Sequence, residues 1–239
     1  MTDLPRRVLA IGAHPDDLEI LCAGTMALYA AAGSKVILCN ATSGNRGSAT
    51  LTMEETARLR DQEAGASAGL IGAEYVCLGF DDGELEGASL DARRRFVDLI
   101  REWKPDVVFT HHPNDYHADH VAAGKLAFEA TFFAGVPLLQ TEHPAGVGIL
   151  PVFYMDTLAG IGFEPEQYVD ISSVFATKRE MLSQHQSQVT WMKDHDGLNI
   201  LDFMETMSKF RGIQAGVRYA EAFQPAHAWL RERAARLLP

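Results

Sequence analysis

The residue types with the most chemical potential lie in two segments of this 239-residue chain. His14-Pro15-Asp16-Asp17-Leu18-Glu19 follows the apolar run Val8 to Ala13, and His111-His112-Pro113-Asn114-Asp115-Tyr116-His117-Ala118-Asp119-His120 follows Asp106 to Thr110. Of the nine histidines, five fall in these two segments. Two imidazoles and a carboxylate, without sulfur, suit Zn²⁺ in a catalytic site that keeps one position for water. Zinc lowers the pKa of such a water to about 7. A second carboxylate and a spare histidine would then serve as general base and general acid, each typically worth ~10²–10⁴-fold. That equipment hydrolyses an amide. Asp16 and Asp17, adjacent in a turn, point in different directions, so one can ligate while the other faces the water. Residue type alone does not say which does which.

Each segment also has a plainer reading. The first is a good helix N-terminus, with Pro15 at the first helical position and Asp16, Asp17 and Glu19 complementing the dipole. That reading leaves His14 unexplained, because an imidazolium is disfavoured there and a neutral, metal-bound imidazole is not. In the second, His117 and His120 are three apart and share one face of a helical turn, with Asp119 between them. His111 and His112 fit a structural or outer role. His143, His195 and His227 lack neighbours at ligand spacing, apart from the acids beside His195.

The surrounding elements must bring the two segments together. Val8 to Ala13, Lys35 to Thr42, Tyr75 to Leu78 and Asp106 to Thr110 read as strands, the first two apolar enough to be buried on both faces. Helices are predicted over Leu18 to Ala32 (closed by Gly33), Met53 to Ile71 (with Thr52 and Glu55 as a capping box), Asp91 to Trp103 (with Asp91 as cap) and Asp119 to Ala130. Four strand–helix alternations mean parallel strands with right-handed crossovers, an α/β doubly wound, mostly parallel Rossmann-like sheet with helices on both faces. Pro151 to Asp156 and Tyr168 to Ile171 read as further strands, and Val174 to Gln188 and Phe203 to Ala222 as helices. No linker interrupts the pattern, so residues 1–239 are read as one domain. Ligands bind such sheets beyond the C-terminal strand ends, where strand order reverses. The first and fourth strands can be neighbours there, which would join the two histidine segments.

Composition narrows the function. Lys+Arg 21 against Asp+Glu 32 gives a net charge of −11, and the only basic runs, Arg6-Arg7 and Arg93 to Arg95, are short. Nucleic acid is therefore not the expected partner. No run approaches the ~18 apolar residues of a membrane span, and the apolar stretch before His14 is too short for a signal peptide. Cys22, Cys39 and Cys77 are widely spaced in apolar stretches and fit reduced, buried thiols. A cytoplasmic protein is expected.

His14-Pro15-Asp16-Asp17-Leu18-Glu19 with His117-Ala118-Asp119-His120 resembles the PIG-L/LmbE family of zinc-dependent N-deacetylases. Arg60-Asp61-Gln62-Glu63 with Leu70-Ile71-Gly72, His185-Gln186-Ser187-Gln188 and Tyr219-Ala220-Glu221-Ala222-Phe223 extend the likeness over nearly the whole chain. The resemblance implies that His14, Asp17 and His120 hold the zinc and that Asp16 is the general base. It implies that His117 stabilises the oxyanion or protonates the leaving amine, and that Asp119 tunes a histidine. The implied substrate is a small-molecule amino-sugar conjugate carrying an N-acetyl group, and the implied assembly a homo-oligomer, trimer or hexamer. Arg60 and Glu63 match a segment linked to sugar recognition, and Arg46 and Asp82 lie in loops expected on the same rim. Against these stand an exposed Arg60–Glu63 helix pair and a simple turn at Asp81-Asp82-Gly83. Arg46 stands where many relatives carry an acid, which separates this chain from a simple transfer of sugar specificity. The segments Thr141 to Gly148 and Leu158 to Glu166 are expected to set specificity.

Two other readings compete with an N-deacetylase. One keeps the metal and changes the bond, to an amide of a larger acyl group or another C–N bond. The other is a non-catalytic ligand-binding protein on a Rossmann-like scaffold. The first turn lacks the GxGxxG of dinucleotide binding, which disfavours it.

Overall fold

The computed structural model describes residues 4–229 and 231. Among these residues, seven strands form one sheet. They are β1 (Arg7–Gly12), β2 (Lys35–Thr42), β3 (Glu74–Phe80), β4 (Val107–Thr110), β5 (Val152–Met155), β6 (Gln167–Asp170) and β7 (Ala220–Pro225). The spatial order is β3-β2-β1-β4-β5-β7-β6. The first five are parallel, and β7 runs antiparallel to both β5 and β6. β1 and β4 pair directly, with Ile11 opposite Thr110. Strand order reverses between them, so the loops after both open into one crevice.

The helices are α1 (Asp17–Leu21), α2 (Ala23–Ala31), α3 (Met53–Gly69), α4 (Leu90–Trp103), α5 (Ala118–Phe133), α6 (Phe175–Ser183), α7 (Gln186–Asp196) and α8 (Ile200–Ala215). Two cores result, one on each sheet face. Leu9, Ile11 and Val108 pack with Phe96, Ile100 and Leu126 on one side. Val8, Ala10 and Phe109 pack with Leu18, Met26 and Met181 on the other. β1 contributes to both, as a strand without polar alternation must when both faces are covered.

Four expectations need correction. The helix over Leu18 to Ala32 is broken at Cys22, whose φ of −145° is not helical. The buried Glu221 carboxylate, reaching from β7, accepts the amides of Gly24 at 2.8 Å and Thr25 at 2.7 Å and so caps the second piece. A long-range partner thus outweighs local helix propensity. Ser89, not Asp91, caps α4, with its hydroxyl accepting from Ala92. The helix over Val174 to Gln188 stops at Ser183 and restarts at Gln186, with the free amide of Ser187 donating to Glu63 at 2.7 Å. The last helix ends at Gly216 with φ 72°, and Ala220 to Pro225 form a strand instead. That strand begins with Ala220, Glu221 and Ala222, residue types that favour a helix, and its first four residues are all buried. Among the described residues, no helix is long and apolar enough to cross a membrane.

Candidate metal centre and active site

β1 ends at Gly12, and the chain turns sharply through His14 to Asp17. Asp16 makes this turn with φ 116°, a left-handed conformation that a non-glycine residue adopts at a cost of about 1–3 kcal/mol. Arg60, buried on α3, holds the turn. Its Nη2 donates to the Pro15 carbonyl and lies 3.4 Å from Asp16 Oδ2, and its Nη1 donates to the Gly44 carbonyl at 3.1 Å. Gly44 has φ 70°, and a Cβ there would stand 2.6 Å from the Arg60 guanidinium, so only glycine leaves room. Arg60 and Glu63 are therefore not an exposed helix pair.

Asp17 is the hub of the cluster. Its Oδ2 accepts the His14 amide at 2.6 Å and lies 3.4 Å from His14 Nδ1 and 3.1 Å from His111 Nε2. Its Oδ1 lies 3.2 Å from His120 Nε2. His14, Asp17 and His120, distant in sequence, thus meet around one carboxylate. The far nitrogens of both imidazoles face other acids: His14 Nε2 is 3.0 Å from Asp119 Oδ2, and His120 Nδ1 is 3.2 Å from Asp115 Oδ1, the latter an electrostatic contact off the line of a good hydrogen bond. In the neutral rings, acids placed there assign the proton to the outer nitrogen and turn the lone pairs of His14 Nδ1 and His120 Nε2 toward Asp17.

Electrostatics point the same way. Burial disfavours an imidazolium at both positions, yet the carboxylates outweigh it. Asp119 and Asp17 hold His14 up at about 10, and Asp17 and Asp115 hold His120 up at about 9. Asp17 is kept well below the usual carboxylate range: burial opposes this, and His120 and His111 overcome it. The cluster demands positive charge. A divalent cation among two nitrogens and an oxygen would meet it, so the donor set fits a metal.

Among the described residues, two three-residue sets that share His120 have ligand atoms within 4.8 Å of one another: His14, His117 and His120, and Asp17, His111 and His120, so the expected His14, Asp17 and His120 are divided between them. His111 is the weaker donor, because its Nε2 accepts the Ala13 amide at 2.9 Å. Burial, then the neighbouring His120, press its pKa down to about 4, so it stays neutral and stacks on His120 at 4.0 Å. His117 caps α5, its Nδ1 accepting the Asp119 amide at 3.1 Å. That leaves Nε2 as the nitrogen carrying a proton in the neutral ring.

Asp16 and His117 line the same cleft as His14, Asp17 and His120, an opening of about 250 Å³ that also takes in Arg46, Arg60, Asp82 and Tyr116. Burial raises Asp16 to about 6, Arg60 opposing and Asp17 adding. Asp119 ties the site to the loop after β3, accepting the Gly83 amide at 2.6 Å and the Leu85 amide at 3.3 Å. Of the residues expected at the sugar, Arg60, Arg46 and Asp82 reach the cleft. Arg46 is held on its rim by the Asp82 carbonyl at 2.6 Å and by Glu84. Glu63 does not reach it: its carboxylate binds the Ser187 amide and hydroxyl and lines a neighbouring cavity. Leu158 lines the cleft, whereas Thr141 and His143 bind Arg101 and Asp98 behind the sheet.

Sequence reasoning missed Asp115, Tyr116 and Gln188 as parts of the site. Asp115 and Tyr116 stood in the histidine-rich loop and could have been singled out there. Gln188 reaches the cleft only because α7 folds back against α3.

The chain is similar to known deacetylases in sequence and in fold. A family profile described as PIG-L, GlcNAc-PI de-N-acetylase, matches residues 9–131. The diacetylchitobiose deacetylase of Thermococcus kodakarensis is 30% identical, over 92% of this chain and 82% of that one. A 1D-myo-inositol 2-acetamido-2-deoxy-alpha-D-glucopyranoside deacetylase of Catenulispora acidiphila is 31% identical over 62% of this chain, and that match spans 55% of its length. Among solved structures, the N,N'-diacetylchitobiose deacetylase of Pyrococcus horikoshii superposes with a TM-score of 0.80 at 28% identity, covering 93% of this chain and 84% of that one. The 4-carboxy-2-hydroxymuconate hydratase GalB of Pseudomonas putida gives a TM-score of 0.81 at 24% identity, over 96% of this chain and 100% of that one. The fold alone thus does not choose the reaction.

Proposed function

We propose, since the chain belongs to the PIG-L family of de-N-acetylases, that it is a zinc-dependent hydrolase removing the N-acetyl group of an amino sugar or N-acetylglucosamine-containing conjugate. The observation that carries this reading is the convergence of His14, His120 and Asp17, with Asp16 and His117 lining the same cleft. One sheet running through the described chain supports reading residues 1–239 as a single catalytic domain.

His14 Nδ1, Asp17 and His120 Nε2 would hold the metal, with Asp119 and Asp115 orienting the imidazoles from behind. When bound, the cation supplies Lewis acidity toward water and the amide carbonyl. Asp16 takes the proton from the attacking water. Its strained turn and the Arg60 clamp hold the carboxylate in place, and with a pKa near 6 it is ionised at neutral pH yet basic enough to accept. His117 donates from Nε2 to the oxygen on which negative charge develops. Burial, then the charges at His14 and His120, lower its pKa, which favours a neutral donor over a cationic acid. The proton held by Asp16 then goes to the departing amine. Arg46 and Asp82, with Tyr116 and Gln188, are polar groups available to sugar hydroxyls in the cleft, while Arg60 lines it with its guanidinium engaged by the Pro15 and Gly44 carbonyls.

The test is direct. Purified protein should carry about one zinc per chain and release acetate from N-acetylglucosamine conjugates, with chelation abolishing the release and zinc restoring it. Metal-loaded protein that releases acetate from no amino-sugar amide would overturn the reading.

A further inference from the structure

Beside the metal cleft lies a second, larger cavity of about 600 Å³. Its walls are the segment Gly47 to Leu51, Leu59 of α3, and Thr190 and Trp191 of α7. Gly47 belongs to the lining of both cavities. A Cβ at Gly47 would stand 2.7 Å from Arg60 Nη1 and 3.1 Å from the Gln188 amide group, so the ridge between the cavities is bare backbone. Gln188 fastens that ridge by donating to the Gly47 carbonyl at 3.1 Å.

We infer that this groove is a subsite continuous with the catalytic cleft, and that it takes an apolar substituent carried by the amino sugar. The inference rests on the deacetylase reading and names its substrate class. Three features support it. The groove is within the 300–1,000 Å³ range of small-molecule sites and larger than the cleft, so the reacting acetamide and sugar cannot account for it. Leu51 is 42% exposed in its lining, while Trp191 and Leu59 are half-buried. Of the two carboxylates in its lining, Glu63 is already bound by the Ser187 amide and hydroxyl and makes no demand for a cationic or polyhydroxylic ligand. Asp194 and His195 stand with it in the lining, and His195 pairs with Asp196 and stacks on Trp191. The substituent sits on either the glycosidic oxygen or the acyl carbon, and the chemistry of the groove is the same for both.

The experiment uses the metal-loaded full chain and steady-state hydrolysis of four compounds: N-acetylglucosamine, its methyl and hexyl glycosides, and N-hexanoylglucosamine. A buried methylene is worth about 0.8 kcal/mol, or roughly fourfold, so one hexyl or hexanoyl arm should lower KM at least about tenfold. The arm that gains identifies the end of the substrate that enters the groove. Leu51→Lys and Trp191→Ala should each cancel the gain and leave kcat/KM for N-acetylglucosamine within about twofold. Hydrolysis without a gain from either arm, or a gain that survives both variants, overturns the subsite. Calorimetric titration with the hexyl glycoside separates the two readings. If nothing is hydrolysed the deacetylase reading falls, and the groove is then judged by binding alone: binding weakened about tenfold by Leu51→Lys upholds it, and no binding overturns it.

Discussion

Asp119 Oδ2 lies 3.0 Å from His14 Nε2 and at the same time accepts the Gly83 amide. One carboxylate therefore orients a proposed metal ligand and fastens the loop that carries Asp82 into the cleft. Substituting Asp119→Asn keeps the shape and removes the charge. Metal affinity should fall about 10–100-fold, measured by competition with a chromogenic chelator. An unchanged affinity would show that His14 is oriented without it.

Asp16 is assigned a chemical task and no share in metal binding. Asp16→Asn should lower kcat by about 10²–10⁴-fold while zinc content stays at that of the parent. Loss of zinc in this variant would move Asp16 into the ligand set; retained activity would remove it from the mechanism.

The metal-free chain should lose stability as the solution becomes alkaline. His14 and His120 are protonated in the folded state up to about 10 and about 9, against 6.5 for a free imidazole. A raised folded pKa contributes stability that is complete below 6.5 and disappears as pH rises through the folded value. Thermal unfolding of the chelated protein should therefore fall to lower temperature between pH 7 and 10, more steeply than that of the zinc-loaded protein. Zinc binding at pH 7 should release about two protons, measurable in buffers of different ionisation enthalpy.

Outside the proposed ligand set, Lys178 and Glu221 form a buried pair at 2.6 Å, and Glu221 also caps α2 through Gly24 and Thr25. The Lys178 ammonium donates in addition to the Ile20 carbonyl at 2.8 Å. Glu221→Ala leaves an ammonium buried without its anion, a loss of about 3–5 kcal/mol. For a domain of this size that should lower the melting temperature by about 6–20 °C. A shift of under ~2 °C would mean that water enters and replaces the carboxylate.

The positions of both histidine segments after strand ends, the parallel pairing of the first four strands, and the imidazole and carboxylate types that gather there were legible in the chain. Short apolar runs bounded by turn signals fit strands covered on both faces. The C-terminal third was less legible. β7 begins with Ala220, Glu221 and Ala222, good helix formers by type, and the break at Cys22 depends on Glu221, nearly two hundred positions away. Glu63 shows the same limit: its residue type and helical position suited a sugar contact, but α7 packs against α3 and presents Ser187 to it.

By itself the amino-acid order determined which atoms were available for chemistry and at which strand ends they would emerge, because hydrophobic period and turn chemistry are local properties. Which nitrogen of each imidazole faces inward, which acid stands behind it, and that Asp16 must adopt a left-handed turn braced by Arg60 were decided only in three dimensions. Those outcomes depend on contacts between groups far apart in the chain, and such contacts leave no periodic trace in the sequence.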